Sequence, residues 1–134
     1  MTSDIRVEPI WLDEKDAHAI HDRQLAEHGG ASGVRDVNAL ESALARPVNR
    51  WGYGEDDAAA LAAAYAFGLA RNHPFADGNK RTAWIIARLF LALNQYELIF
   101  DADDALLAML ALAAGELSEE EMADWFRLHI VQGE

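Results

Sequence analysis

One stretch of this chain dictates more about its fold than any other. Residues Ala58–Ala70 read AAALAAAYAFGLA, thirteen in a row without a charge. A helix of that composition is apolar on nearly every side, so it belongs inside a helical core rather than on a surface. It is also too short to cross a bilayer, which takes about 20 residues. The remainder of the chain must therefore supply the elements that enclose it.

Periodicity and capping residues predict those elements. Asp13 caps a first helix that carries Ala17, Ile20, His21, Gln24, Leu25 and His28 at three- and four-residue steps, and Gly29-Gly30 stops it. Ala31–Arg35 reads as a turn. Asp36 caps a second helix through Ala39, Leu40, Ala43 and Leu44, expected to end before Pro47. Asn49–Asp57 reads as a turn or small hairpin. The central helix runs from about Asp57 to Arg71 and is closed by His73-Pro74. A fourth helix covers Asn79 to Leu93, and Tyr96–Phe100 is a short strand-like link. Ala102–Ala114 forms a fifth helix, and Ser118 with Glu121 is a capping box for a sixth, ending near Ile130. The alternation in Arg6–Leu12 supports at most one strand or an extended arm. The expected class is all-α, with residues 1–134 as one domain of about six helices and one or two short extended segments.

Between the third and fourth helices lies HPFADGNKRT, residues 73–82. His73 is the side chain here that exchanges a proton near neutral pH without help from its surroundings. Gly78 permits a tight turn with positive φ. The amides of Gly78, Asn79 and Lys80 open a helix, lack intrahelical partners and favour an anion. Lys80 and Arg81 sit where the helix dipole prefers acids, so they cost stability unless an anion is to be bound. Asp77 is a hard carboxylate of the type that takes magnesium. Together these residues outline a phosphoryl- or nucleotidyl-transfer site.

At these residues the chain resembles the Fic/Doc family, whose signature H-P-F-x-[DE]-G-N-[GK]-R reads HPFADGNKR here. The upstream segment HGGASGVRDVNALESALARP and the NKRTA continuation are similar to the Doc, or death-on-curing, branch. The likeness extends from about Leu12 to His129. It implies a Fic/Doc-like helical bundle in which His73 is the general base and Asp77 binds or positions Mg2+. It also implies that Asn79 and Arg81, with the loop amides, hold the phosphates of ATP, while Phe75 anchors the loop in the core. The commoner Fic motif has glycine where Lys80 stands. Lysine there is similar to Doc, and implies transfer of the γ-phosphate to a threonine of elongation factor Tu by a toxin that arrests translation. The alternatives are AMP transfer by the same loop, and a non-catalytic helical module that sequesters a partner. No Ser or Thr has Glu four residues on, as the inhibitory helix of AMP-transferring Fic proteins requires. An antitoxin of the Phd type, acting in trans, is implied instead. Trp51 and Tyr53, on either side of Gly52, are expected to form a flap for the target.

Other features are read more simply. His18 and His21 lie one turn apart and can face one metal, but without a third ligand they read as a solvated face. His28 and His129 have no visible partner. Gly29–Gly33 is a turn, and Arg88 lies about 10 Å along the helix from Arg81. No cysteine is present, which excludes disulfides and thiolate sites. No signal peptide is predicted, and the expected location is the cytoplasm. The net charge of −12 opposes binding to a nucleic-acid backbone or an anionic membrane. Residues 71–94 are the exception: four bases against one acid make them the positive segment of the chain.

Overall fold

The computed structural model describes residues 6–132. Its elements are α1 (Glu14–His28), α2 (Val37–Gly52), α3 (Ala58–Asn72), α4 (Asn79–Leu93), β1 (Tyr96–Leu98), α5 (Ala102–Ala114), α6 (Glu119–His129) and β2 (Ile130–Gln132). The strands pair antiparallel, with Glu97 opposite Val131. The described residues are all-α but for this short ribbon. Residues 6–12 form neither helix nor strand and make up an N-terminal arm. None of the described helices is long and apolar enough to cross a membrane.

The alanine-rich run behaves as its composition demands. Eleven residues of α3 are buried, and α2, α4, α5 and α6 all pack on it. Small side chains let these neighbours approach closely. At Gly68 an added Cβ would stand 3.1 Å from Ala43 Cα of α2. Tyr65 is wholly buried; its hydroxyl accepts from the Leu12 N–H at 2.9 Å and donates to the Leu12 carbonyl at 3.2 Å. That pair fastens the N-terminal arm to the core.

The caps at Asp13, Asp36 and Ser118 form as read, with reciprocal capping boxes at Asp13–Asp16 and Ser118–Glu121. Two expectations along α2 are overturned. The helix does not end before Pro47 but continues to Gly52, and Asn49–Asp57 is no hairpin: only 53–57 lie outside a helix. Proline lacks the N–H that would pair with the carbonyl four residues back, here that of Ala43. That carbonyl lies against Gly68 of α3, where an added Cβ would be 3.2 Å from its oxygen. Pro47 is buried, and packing on α3 outweighs the missing bond.

Candidate active site

The chain between α3 and α4 starts from a constrained backbone. Pro74 disfavours the right-handed helical region for His73. His73 instead caps α3 in the left-handed region, at φ 49° and ψ 56°. For a residue with a Cβ this costs about 1–2 kcal/mol, so its surroundings must hold it. Residues 33–36 do so. The Arg35 guanidinium donates twice to the His73 carbonyl, from Nε at 3.1 Å and Nη2 at 2.8 Å. The N–H groups of Arg35 and Asp36 donate to the Pro74 carbonyl, and that of Ala76 donates to Gly33. Val34 and Phe75 bridge as in an antiparallel pair. The segment read as a simple turn is thus a strap along the loop.

Beneath the loop, Phe75 is 1% exposed and its ring lies on that of His21, with centroids 3.9 Å apart. The Asn79 side chain clips the loop from within: Oδ1 accepts from the Phe75 N–H at 2.9 Å and Nδ2 donates to the Phe75 carbonyl at 3.0 Å. Gly78 begins α4 at φ 75°, with no side-chain cap. The Gly78 amide does not join an open cradle, since it donates to Asp77 Oδ1 at 2.8 Å. The first helical bond is from Thr82 N–H to the Gly78 carbonyl. The amides of Asn79, Lys80 and Arg81 have no acceptor among the described residues, and they form the anion-seeking end of α4.

His73, Asp77, Gly78, Asn79, Lys80 and Arg81 all line one open cavity of about 850 Å³. Its far wall is apolar, built from Trp84, Phe100, Leu106, Met109 and Leu110, with Arg88 beside it. The Arg88 guanidinium lies 4.9 Å from the Phe100 ring centre. Neither Lys80 nor Arg81 pairs with a carboxylate among the described residues, so both charges are available to an anion. Among the described residues, Asp77 is the one carboxylate on the lining. No group of three or more His, Asp or Glu among the described residues is arranged to hold a metal. One carboxylate beside an anion cradle still suits magnesium, which keeps its waters and takes one or two carboxylates plus nucleotide phosphates.

Other expected site residues lie elsewhere. Trp51, in the last turn of α2, lies edge-on to Trp11, with the Arg6 guanidinium 4.2 Å from its ring centre, and Tyr53 is exposed. Neither lines the cavity, and residues 49–57 form no hairpin; the strap 33–36 runs beside the loop. His21 is not on a solvated face. It is 2% exposed, and its Nε2 donates to the Asp77 carbonyl at 2.7 Å. His18 is half-buried, with Nε2 3.7 Å from Glu14 and its ring edge-on to Phe75. His129 does have partners, since Nδ1 meets the Trp125 carbonyl and the ring stacks on Trp125. Sequence reasoning missed His21 and Arg35 as members of the site. The one available signal is the glycine-rich turn Gly29–Arg35 itself, which falls within the stretch similar to the Doc branch.

A histidine at a helix C-terminus and a cationic, amide-rich helix start face the same cavity, an arrangement suited to holding a phosphate beside a base in an all-helical scaffold. The chain belongs to the Fic/DOC family, whose model matches residues 11–91. It is 36% identical over 110 residues to a protein of Escherichia phage P1 named protein kinase doc, covering 81% of this chain and 86% of that one. It is 47% identical over 78 residues to toxin Doc of Mycolicibacterium smegmatis, covering 56% of this chain and 59% of that one. These relatives place it with the Doc toxins.

Proposed function

We propose that this protein is an ATP- and Mg2+-dependent protein kinase toxin. It transfers the γ-phosphate to a hydroxyl, a threonine, of a translation factor such as elongation factor Tu. In this reading residues 1–134 form one catalytic domain, acting in the cytoplasm and restrained in trans by an antitoxin of the Phd type. The observation that carries it is the cavity shared by His73 and the unpaired cations and amides at the start of α4. Lys80 and the name of the phage relative favour γ-phosphate transfer over AMP transfer.

The roles follow from the chemistry of each group. An alcohol is a weak nucleophile until its proton is taken, and His73 takes it as general base. The hydroxyl oxygen then bonds to the γ-phosphorus as the bond to the β–γ bridging oxygen breaks, and ADP leaves with that electron pair. Negative charge on the phosphoryl oxygens meets Lys80, Arg81 and the free helix-start amides, already oriented by the fold. Asp77 would hold magnesium, which when bound neutralises charge on the nucleotide phosphates. Asn79 acts through the loop it clips, and through its own amide.

The test is incubation with a bacterial lysate and ATP labelled at either the α- or the γ-phosphate. Label from the γ-position alone is expected on one translation factor. Label from the α-position would overturn the kinase reading in favour of AMP transfer. His73→Ala is expected to lower transfer at least about 100-fold, the usual worth of a general base. Transfer or toxicity that survives in that variant would remove His73 from this role and favour a sequestering module.

A further inference from the structure

His21 is the one histidine buried among the described residues. Its Nε2 lies 2.7 Å from the Asp77 carbonyl oxygen, 56 residues away in sequence. A carbonyl only accepts, so Nε2 carries the proton. The peptide joining Asp77 to Gly78 is trans, so its C=O and N–H point in opposite directions. A donor that holds the C=O towards α1 therefore turns the Gly78 N–H the other way. There it meets Asp77 Oδ1 at 2.8 Å, on the carboxylate that lines the cavity. Gly78 itself does not enforce this orientation, because glycine enters the region at φ 75° as readily as it enters others. The His21 ring, in turn, is fixed face to face on Phe75, which Asn79 clips at both backbone atoms.

We propose that His21 is a positioning residue of the transfer site: it sets the Asp77–Gly78 peptide and through it aims the Asp77 carboxylate. The proposal rests on the reading that Asp77 serves a magnesium-bound nucleotide. His21→Phe keeps a flat ring on Phe75 and removes only the donor. His21→Gln returns an N–H of similar reach.

The experiment compares wild type, His21→Phe and His21→Gln in three measurements: melting temperature, the magnesium concentration giving half-maximal transfer, and nitrogen-15 NMR of the nucleotide-free proteins. The expected result in His21→Phe is a rise of about tenfold or more in the magnesium midpoint, as for other groups that orient a metal ligand. His21→Gln recovers most of it. In the nucleotide-free wild type, neutral His21 carries its proton on Nε2, and the Gly78 amide resonance moves in His21→Phe. A wild-type midpoint and an unmoved Gly78 resonance in a folded His21→Phe would overturn the proposal. So would a neutral His21 protonated on Nδ1, a result that needs no variant to fold. If the wild type transfers no phosphate, the proposed function fails, while the NMR arm still decides whether His21 holds the loop.

Discussion

A methyl group added at Gly30 would stand 2.8 Å from Asp77 Oδ2 and 3.2 Å from Leu25 Cδ2, on a residue at φ +121°. Gly29, its neighbour at φ +75°, would meet nothing within 4 Å. The two glycines therefore separate two effects. Gly29→Ala should lose about 1–3 kcal/mol of stability, because φ 75° with ψ −177° is a region essentially confined to glycine, and keep its transfer activity. Gly30→Ala should lose a similar amount and also lower transfer by about tenfold or more, because the carboxylate is the flexible partner that moves and small misplacements of site groups are costly. Denaturant unfolding and γ-phosphate transfer, measured on both variants, check this pair. Equal activities would mean that the Asp77 carboxylate has no role set by its position. The comparison also marks how far single residues were legible. The groups of HPFADGNKRT stand in one run, each with chemistry that can be named from its type. The supports of the loop do not: His21 reaches across 56 residues and Arg35 across 38, so no local pattern joins them to it. For His21, helical spacing gives direction around an axis, shared with His18, but not what lies opposite.

Elements answer to their neighbours in the same way. A proline is a sound local signal for a helix end, yet α2 passes through Pro47 because its buried face packs along α3. The close approach is Gly68's. Alanine there would gain about 0.5–1 kcal/mol in helix propensity. Against that, its Cβ would meet Ala43 backbone atoms at 3.1 and 3.2 Å, and backbone in a packed pair yields little. Overpacking costs about 1–3 kcal/mol, so Gly68→Ala should be net destabilising and lower the melting temperature; a rise would show that α2 and α3 separate freely. Tyr65, on the same helix, makes the fold sensitive to alkali. Burial pushes its phenol up to about 12, with the N–H of Leu12 opposing and the charges of Asp16 and Asp13 adding. The folded state thus favours the neutral phenol, while the unfolded chain ionises near 10. The contribution is intact below pH 10 and is lost as pH rises from 10 through 12, about 1 kcal/mol of it by pH 11. Tyr65→Phe should cost about 1–3 kcal/mol at pH 7 by leaving Leu12 unpaired, and should lose less than wild type between pH 9 and pH 11. Unfolding in denaturant at the three pH values tests the sign.

At the scale of the whole molecule, helix order was legible because six apolar periodicities are separated by caps and glycines that work locally. The pairing of β1 with β2 was not, since it joins Leu98 to Ile130 across α5 and α6. Charge, by contrast, could be summed before any fold was known, and the structure gives it a place. Residues 95–134 hold ten acids against one base, and Asp101, Asp103, Asp104, Glu116, Glu120, Glu121 and Asp124 are exposed. Some acids do bind across elements. Glu119 receives Arg46 and Arg50 of α2, and Asp57 receives Arg127 of α6. Others, such as Glu27 with Arg23 and Asp124 with Arg127, are exposed pairs within one helix, worth at most about 1 kcal/mol each. Salt weakens both the pairs and the repulsion among the unpaired acids, so the balance sets the sign. With 23 acids against 11 bases, repulsion is the larger sum and acts over longer distances than the contacts do. Its range falls from about 30 Å at 0.01 M salt to about 10 Å at 0.1 M. The melting temperature should therefore rise as sodium chloride increases from 0.01 to 0.3 M, with Mg2+ and nucleotide absent. A fall would show that the ion pairs between α2, α3 and α6 outweigh the excess of acid. The same screening should weaken nucleotide binding, because Lys80 and Arg81 lie exposed in the one positive segment of an acidic molecule. Stability and nucleotide affinity are thus expected to move in opposite directions along a single salt titration, and a calorimetric Kd for ATP with Mg2+ measured beside the melting curve reads both.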